Sequence, residues 1–210
     1  LTMPLITKSD GTKFGKSESG TVWLDPARTS PYAFYQFWLG IGDDDVYRFL
    51  KYFTFLEISK IDAIEQADVE SQGRPEAQAI LACEATRLVH GDTGLSAAMR
   101  ITDALFSGSF DALSEDDWLQ LRQDGMPSSS IKRNQLAPSV TQLLVDAGMA
   151  PSGKQVKDAL SREAVWINNR AIGGADNSNT GTVFSPDQAL YGRFYLVKLG
   201  KKKYHLFEVV

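Results

Sequence analysis

Cysteine occurs once in these 210 residues, at Cys83, and histidine only twice, at His90 and His205. A single cysteine excludes an internal disulfide framework and suits a reducing compartment, so a cytoplasmic location is expected. Neither histidine has further ligand-type residues at metal spacing; both read as structural, and no protein metal site is expected. No apolar run approaches the ~18 residues that a membrane span needs, so no membrane partner is expected. The opening residues carry no secretory-leader pattern. The chain starts inside a short apolar segment, Leu1 to Ile6, and is expected to be a fragment of a longer protein.

What is present is the composition of a folded chain: 43% apolar, 10% aromatic and 23% charged residues, enough for one large domain or two small ones. The net charge of −4 is unevenly spread. Residues 1–130 carry 11 lysines and arginines against 20 acidic residues, whereas residues 131–210 carry 11 against 6. A body of charge −9 is thus followed by a tail of charge +5, as in a polyanion-binding module joined to something else.

The chemistry concentrates in Lys8 to Gly20, where Lys13, Phe14, Gly15, Lys16 and Ser17 follow one another and Gly11, Gly15 and Gly20 keep the backbone permissive. A mobile basic loop with hydroxyls suits phosphate. Its spacing alone favours the plainer reading, a polar turn with two solvated lysines.

Helices are predicted from Ser30 onward. Ser30-Pro31 is a start signal, and Tyr32, Phe34, Tyr35, Phe37, Trp38 and Leu39 make a helix apolar nearly all round, buried on most sides or packed between domains. Asp43, Asp44 and Asp45 favour the N-terminus of a second helix with Val46, Phe49, Leu50 and Phe53 on one face. Ser59 is the predicted cap of a third, and a polar break follows at Ser71-Gln72-Gly73. Pro75 to Val89 is a fourth helix stopped by Gly91, and Asp92-Thr93 starts a fifth. Ser114 with Asp117 resembles a capping box before Trp118. This predicts a bundle of about five or six helices.

Residues 125–135, rich in Gly, Pro and Ser, are the predicted linker. Beyond them come helices over Val140 to Ala147 and from Pro151-Ser152, a strand at Val165-Trp166-Ile167, a long turn from Asn168 to Gly181, and a hairpin of Tyr191 to Leu199 with Tyr204 to Val210. The basic residues of this α+β module, Lys132, Arg133, Lys154, Lys157, Arg162, Lys201, Lys202 and Lys203, are the candidate RNA contacts, because lysine and arginine hold nucleic-acid phosphates.

Taken together, these parts resemble the C-terminal half of a bacterial tyrosyl-tRNA synthetase. Lys13-Phe14-Gly15-Lys16-Ser17 looks like the class I signature Lys-Met-Ser-Lys-Ser. Val22-Trp23-Leu24-Asp25-Pro26 and Thr29-Ser30-Pro31-Tyr32, continuing to Trp38, are similar to the family's sequence after that loop. Arg87-Leu88-Val89-His90-Gly91 and Leu105-Phe106-Ser107-Gly108 fit its helical anticodon-binding region. The tail is similar to the RNA-binding domain shared with small-subunit ribosomal protein S-four. Two departures stand out there: Gly153 where the family pattern has arginine, and Asn169 where it has glycine.

The resemblance implies a multidomain α and α+β chain. Residues 1–24 end a catalytic domain with the signature loop, 25–130 form a helical anticodon-binding domain, and 131–210 hold a linker and a small S-four-like RNA-binding domain. It implies a tyrosine-tRNA ligase that activates tyrosine with ATP and transfers it to tRNA(Tyr). Lys13 and Lys16 are then the catalytic residues, with Lys13, Gly15, Lys16 and Ser17 on the ATP phosphates. Mg2+ is expected to accompany ATP without an identified protein ligand, the full-length protein is expected to be a homodimer, and the fragment by itself is expected to be inactive. Two other readings stay open: a non-catalytic RNA-binding protein, and a helical protein-interaction module using the aromatics from Phe34 to Trp38.

Overall fold

The structure, a computed structural model, describes residues 6–17, 20–71, 75–201 and 203–210, with the side chains of 16, 17 and 20 also outside the description. The apolar run before Ile6, the predicted break at Gln72-Gly73, and Lys202 fall outside it. The chain divides into two compact units, Leu1–Leu113 and Ser114–Val210.

The first unit is helical. Helix α1 (Pro31–Leu39) starts as predicted: the Ser30 hydroxyl accepts a hydrogen bond from the Ala33 amide at 3.1 Å, and Pro31 takes the first helical position. Helix α2 (Asp43–Phe53) follows, then α3 (Ile58–Glu70), which begins before the predicted cap: Glu57, not Ser59, is its N-cap. Helix α4 runs Ala77–Ser107 but is broken at Gly91, whose φ of 68° and ψ of −177° are not helical. The two helices predicted either side of Gly91 therefore abut across a kink.

Side chains of α1 (Phe34, Tyr35, Trp38), α2 (Val46, Phe49, Leu50), α3 (Ile61) and α4 (Leu81, Ala82, Ala85, Leu95, Ala98) share one buried core. The alanines of α4 let α1 lie close along it, and Gln36 Nε2 donates to Thr102 Oγ1 at 2.8 Å across that contact. The aromatic face of α1 is consumed inside this unit. Cys83 packs half-buried at the edge of the same core.

Helix α3 is tied to the start of α4 by Asp68. Its carboxylate accepts the amides of Glu76 (2.8 Å) and Ala77 (3.2 Å) and the Tyr47 hydroxyl (2.9 Å). Burial pushes the Asp68 carboxyl up, but these three donors outweigh it and hold it below the usual carboxylate range. Tyr47 is pushed up to about 12, first by burial and then by its bond to Asp68 and the neighbouring acidic charges.

The second unit opens with α5 (Glu115–Gln120), whose Ser114–Asp117 capping box is fully formed, and continues into a π-helical turn at Leu121–Gly125. The segment predicted as a linker is ordered: Ser128–Ile131 is a strand paired in parallel with the last strand of the chain. Its serine-rich, alternately exposed sequence reads as loop because the partner that makes it a strand lies some 78 residues away. Helices α6 (Val140–Asp146) and α7 (Gly153–Ser161) form as predicted.

Besides a short hairpin of β1 (Lys16–Ser17) and β2 (Gly20–Thr21) in the first unit, the strands are β3 (Ser128–Ile131), β4 (Val165–Ile167), β5 (Arg170–Ile172), β6 (Phe194–Leu199) and β7 (Lys203–Val209). The last five make one sheet in the order β3-β7-β6-β4-β5. Strand β5 lies inside the run predicted as a long turn, and the one-turn helix α8 (Thr180–Val183) begins at its end.

The β4–β5 turn needs left-handed backbone at two successive residues, and Asn168 (φ 44°) and Asn169 (φ 65°) supply it. Asparagine tolerates that region better than other residues carrying a Cβ, so Asn169 keeps the turn that a glycine would make. Asn168 is further fixed: its Nδ2 donates to the Gln188 carbonyl at 2.6 Å and its Oδ1 accepts the Leu196 amide at 2.8 Å.

One sheet face, with Val165, Ile167, Tyr195, Val197 and Phe207, buries α6 and α7 in the second core. On the other face α5 stacks Trp118 on Phe194, with ring centroids 6.5 Å apart. Below it the buried Glu208 carboxylate pairs with Arg122 (2.9 Å) and Arg193 (3.4 Å) and accepts the Ser130 hydroxyl at 2.8 Å.

Candidate functional site

The loop singled out in the sequence begins as a tight hairpin. Thr7 and Lys13 face each other in an antiparallel bridge, the Phe14 amide donates to the Ile6 carbonyl at 3.1 Å, and the Lys8 amide donates to the Thr12 carbonyl at 2.8 Å. Gly11 closes the turn with φ 81°. Asp10 accepts the Thr12 hydroxyl (2.6 Å) and amide (2.8 Å), which hold its carboxyl below the usual range.

Gly15 has φ 92°, which strains any residue carrying a Cβ, although among the described residues nothing beyond its chain neighbours stands within 4 Å of where that Cβ would lie. Lys16 then pairs with Thr21 and Ser17 with Gly20. The Lys16 and Ser17 side chains lie outside the described residues.

Alternation across the hairpin sends neighbouring side chains to opposite sides. Lys13 is exposed and makes no ion pair with another described residue. Phe14 points the other way, into the helical core: its ring centroid lies 4.6 Å from that of Phe49, 5.1 Å from Phe53, 5.3 Å from Trp38 and 5.5 Å from Phe37.

The first arm is held as well. Asp45, 4% exposed, accepts the Ser9 amide on both oxygens (2.9 and 3.1 Å) and the Ser9 hydroxyl (3.2 Å). Arg48 pairs with Asp45 and donates to the Thr7 carbonyl at 2.7 Å. Sequence alone suggests a loop mobile throughout and Asp45 as one of three equivalent helix-start acids. Within residues 6–14, Phe14 is packed and Thr7 and Ser9 are hydrogen-bonded to α2 while Ser9 to Lys13 stay exposed; Asp43 and Asp44 are exposed, whereas Asp45 is turned inward.

The basic residues of the second unit fall into two groups. Lys203 Nζ donates to the Met149 carbonyl at 3.2 Å, which ties the β6–β7 tip, with exposed Lys201, to the turn leading into α7. Lys154 and Lys157 are exposed on that helix, and Arg162 at its end donates Nε to the Asp158 carbonyl at 3.0 Å. Lys132 and Arg133 lie beside the opposite end of β7, where the Arg133 amide meets the Val210 carbonyl at 2.7 Å. At ~3.3 Å per strand residue, that is roughly 20 Å from Lys203. Arg133 also donates Nη1 to the Phe184 carbonyl at 2.8 Å, so part of its fork is used within the fold.

A row not anticipated from the sequence crosses the sheet face away from the second core. Trp166, 42% exposed, pairs with Lys198, and Lys198 pairs with Tyr204, with Lys198 Nζ 5.5 Å from the Tyr204 ring centroid. The signal was the exposed middle position of Val165-Trp166-Ile167, where a tryptophan faces water between two buried neighbours.

No group of three or more acidic, histidine or cysteine side chains among the described residues is arranged to hold a metal ion. No described helix is long and apolar enough to cross a membrane.

The model of the class I tRNA synthetases for tryptophan and tyrosine (W and Y) matches residues 1–107, loop and helical unit together, and the chain belongs to that family. The model of the tyrosine--tRNA ligase SYY-like C-terminal domain matches residues 117–207. Within the family, the chain is similar to tyrosine--tRNA ligases. That of Aliivibrio fischeri strain MJ11 is 48% identical over 207 residues, 99% of this chain and 47% of the relative. That of Salmonella paratyphi B is 51% identical over 206 residues, 98% of this chain and 47% of the relative. Among solved structures, a C-terminally truncated Coccidioides posadasii mitochondrial tyrosyl-tRNA synthetase matches 47% of this chain and 25% of its own at 35% identity and a TM-score of 0.40. The chain spans about half the length of the curated relatives it matches.

Proposed function

We propose that this chain is the loop-bearing and tRNA-binding part of a tyrosine-tRNA ligase. The observation that carries the reading is Lys13-Phe14-Gly15-Lys16-Ser17 on a hairpin docked to the helical unit, inside a segment of class I synthetase type. In the reaction, the tyrosine carboxylate attacks the α-phosphate of ATP, tyrosyl-adenylate forms, and pyrophosphate leaves. The tyrosyl group then passes to the 3′ end of tRNA(Tyr).

Negative charge grows on the departing pyrophosphate as the bond to the α-phosphate breaks. Lys13 and Lys16 supply positive charge there, Gly15 lets the backbone come close to the phosphates, and Ser17 adds a hydrogen bond. Contacts that strengthen in the transition state are the ones that raise the rate. Mg2+ would arrive with the ATP phosphates. The homodimeric state of the full-length protein and its cytoplasmic setting belong to the same proposal.

The helical region takes the anticodon-binding role and the sheet unit the S-four-like role. For the latter, the supporting geometry is the cluster of Lys154, Lys157, Lys201 and Lys203 around the start of α7, together with the Trp166–Lys198–Tyr204 row. Lysines track the phosphates, with affinity falling as salt rises. An exposed indole beside a cation is a stacking platform for an unpaired base.

Binding of the 210-residue chain to a tRNA(Tyr) transcript, against other tRNAs and across a salt series, tests the RNA half. Salt-dependent binding selective for tRNA(Tyr) is expected. Equal binding of all RNAs would instead mark a general RNA-binding protein, and no binding would point to a protein-interaction module. The same chain is expected to give no tyrosine-dependent ATP–pyrophosphate exchange by itself; measurable exchange contradicts this division of labour.

A further inference from the structure

We infer that Asp45 and Arg48 are positioning residues that set where Lys13 stands over the ATP phosphates. The inference rests on the catalytic reading of the loop and adds to it two residues that lie on helix α2, about thirty positions further along the chain.

The hydrogen bonds connect the two. Asp45 holds the Ser9 amide on both carboxylate oxygens, and Arg48, paired with Asp45, holds the Thr7 carbonyl at 2.7 Å. Thr7 is bridged to Lys13, and the Ile6 carbonyl takes the Phe14 amide at 3.1 Å. Fixing Thr7 and Ser9 therefore fixes the strand that carries Lys13, with Phe14 beside it as the apolar bearing.

A helix-start role alone does not explain Asp45. Asp43 and Asp44 already place two exposed carboxylates in the first turn of α2, whereas Asp45 is 4% exposed and spends its acceptors on the loop and on Arg48. The Ser9 amide and hydroxyl at 2.9–3.2 Å, together with the Arg48 bond to Thr7, tie both of these loop residues to α2. Placement matters because a misplacement of about 1 Å in a group acting on the transition state costs on the order of a hundred-fold in rate.

The test uses the full-length enzyme and tyrosine-dependent ATP–pyrophosphate exchange, with melting temperature as a control for folding. Asp45→Ala is expected to lower kcat by about ten- to a hundred-fold with the KM for tyrosine unchanged. Asp45→Asn keeps an acceptor for the Ser9 amide but loses the charge facing Arg48, and is expected to fall between the two; it serves as the deciding variant if the alanine form does not fold. In a Lys13→Ala background the loss from Asp45→Ala is expected to shrink, because the group being positioned is gone. If Lys13→Ala and Lys16→Ala slow exchange but neither Asp45 variant does, the positioning role is wrong and the loop reading stands. An Asp45 loss of equal size with and without Lys13 also overturns it, as a merely structural effect. If neither lysine variant slows exchange, the loop reading itself falls.

Discussion

Phe14 sits between the two candidate lysines and supplies the apolar contact by which the loop is seated on the helices. Replacing it by alanine removes ring contacts with Phe37, Trp38, Phe49 and Phe53. A fully buried Phe→Ala change costs about 3–5 kcal/mol. Phe14 is only half-buried, so a loss of about 2 kcal/mol is expected, read as a shifted denaturant midpoint. In the second unit, Asn169→Ala places a residue that disfavours left-handed backbone at φ 65° and is expected to cost about 1 kcal/mol, while Asn169→Gly is expected to be tolerated. This departure from the family pattern is visible in the sequence. That it leaves the turn intact is legible only once the backbone angle is known.

Among the elements, the tether of α3 to α4 through Asp68 gives a pH-dependent expectation. The Tyr47 phenol is raised from 10.0 to about 12 in the fold. A raised folded value means that the fold favours the protonated phenol; its contribution is complete below pH 10 and is lost as pH rises through 12. Alkaline unfolding of Tyr47→Phe should accordingly lack part of the steepening between those values, whereas an unchanged profile would show that Tyr47 does not titrate with unfolding.

Helix starts are the most legible elements, because Ser30-Pro31 and Ser114 with Asp117 carry their capping chemistry locally; Pro151-Ser152 marks the start of α7 as well, although the Ser152 side chain caps no amide there. The sequence does not mark the start of α3, because its cap, Glu57, is not a residue type that announces one. Strand β3 is not legible in the sequence, because its four residues, Ser-Ser-Ser-Ile, have no pattern of their own and become a strand only beside β7. The resemblance singles out the two lysines of the loop as candidates, which spacing alone does not. Neither singles out Asp45 and Arg48, since the contacts that distinguish Asp45 from Asp43 and Asp44 come from a segment 36 residues earlier.

Across the whole chain, an acidic first part precedes a basic tail, and the tail is the part proposed to hold the polyanion. The expectation is that raising salt weakens tRNA binding steeply, and that neutralising Lys154, Lys157, Lys201 and Lys203 together lowers the slope of that dependence. Trp166→Ala should weaken binding with the slope retained, since a stacked base releases no counterions. Both histidines bear on acid stability. Burial lowers His90 and His205 from the usual 6.5. The fold favours their neutral forms, so stability is full above pH 6.5 and falls as pH drops from there toward the lowered folded values. Replacing His90, which stands edge-on to Phe34 at 4.9 Å, by phenylalanine should flatten part of that acid limb.

Action of the loop on the leaving pyrophosphate is read most directly in the rate of tyrosyl-adenylate formation by full-length enzyme carrying Lys16→Ala. Losing one positioned charge of this kind costs about 3–4 kcal/mol, so the rate should fall by a hundred- to a thousand-fold while the tyrosine Kd stays the same. An unchanged rate of adenylate formation, with only tyrosine binding weakened, would contradict it.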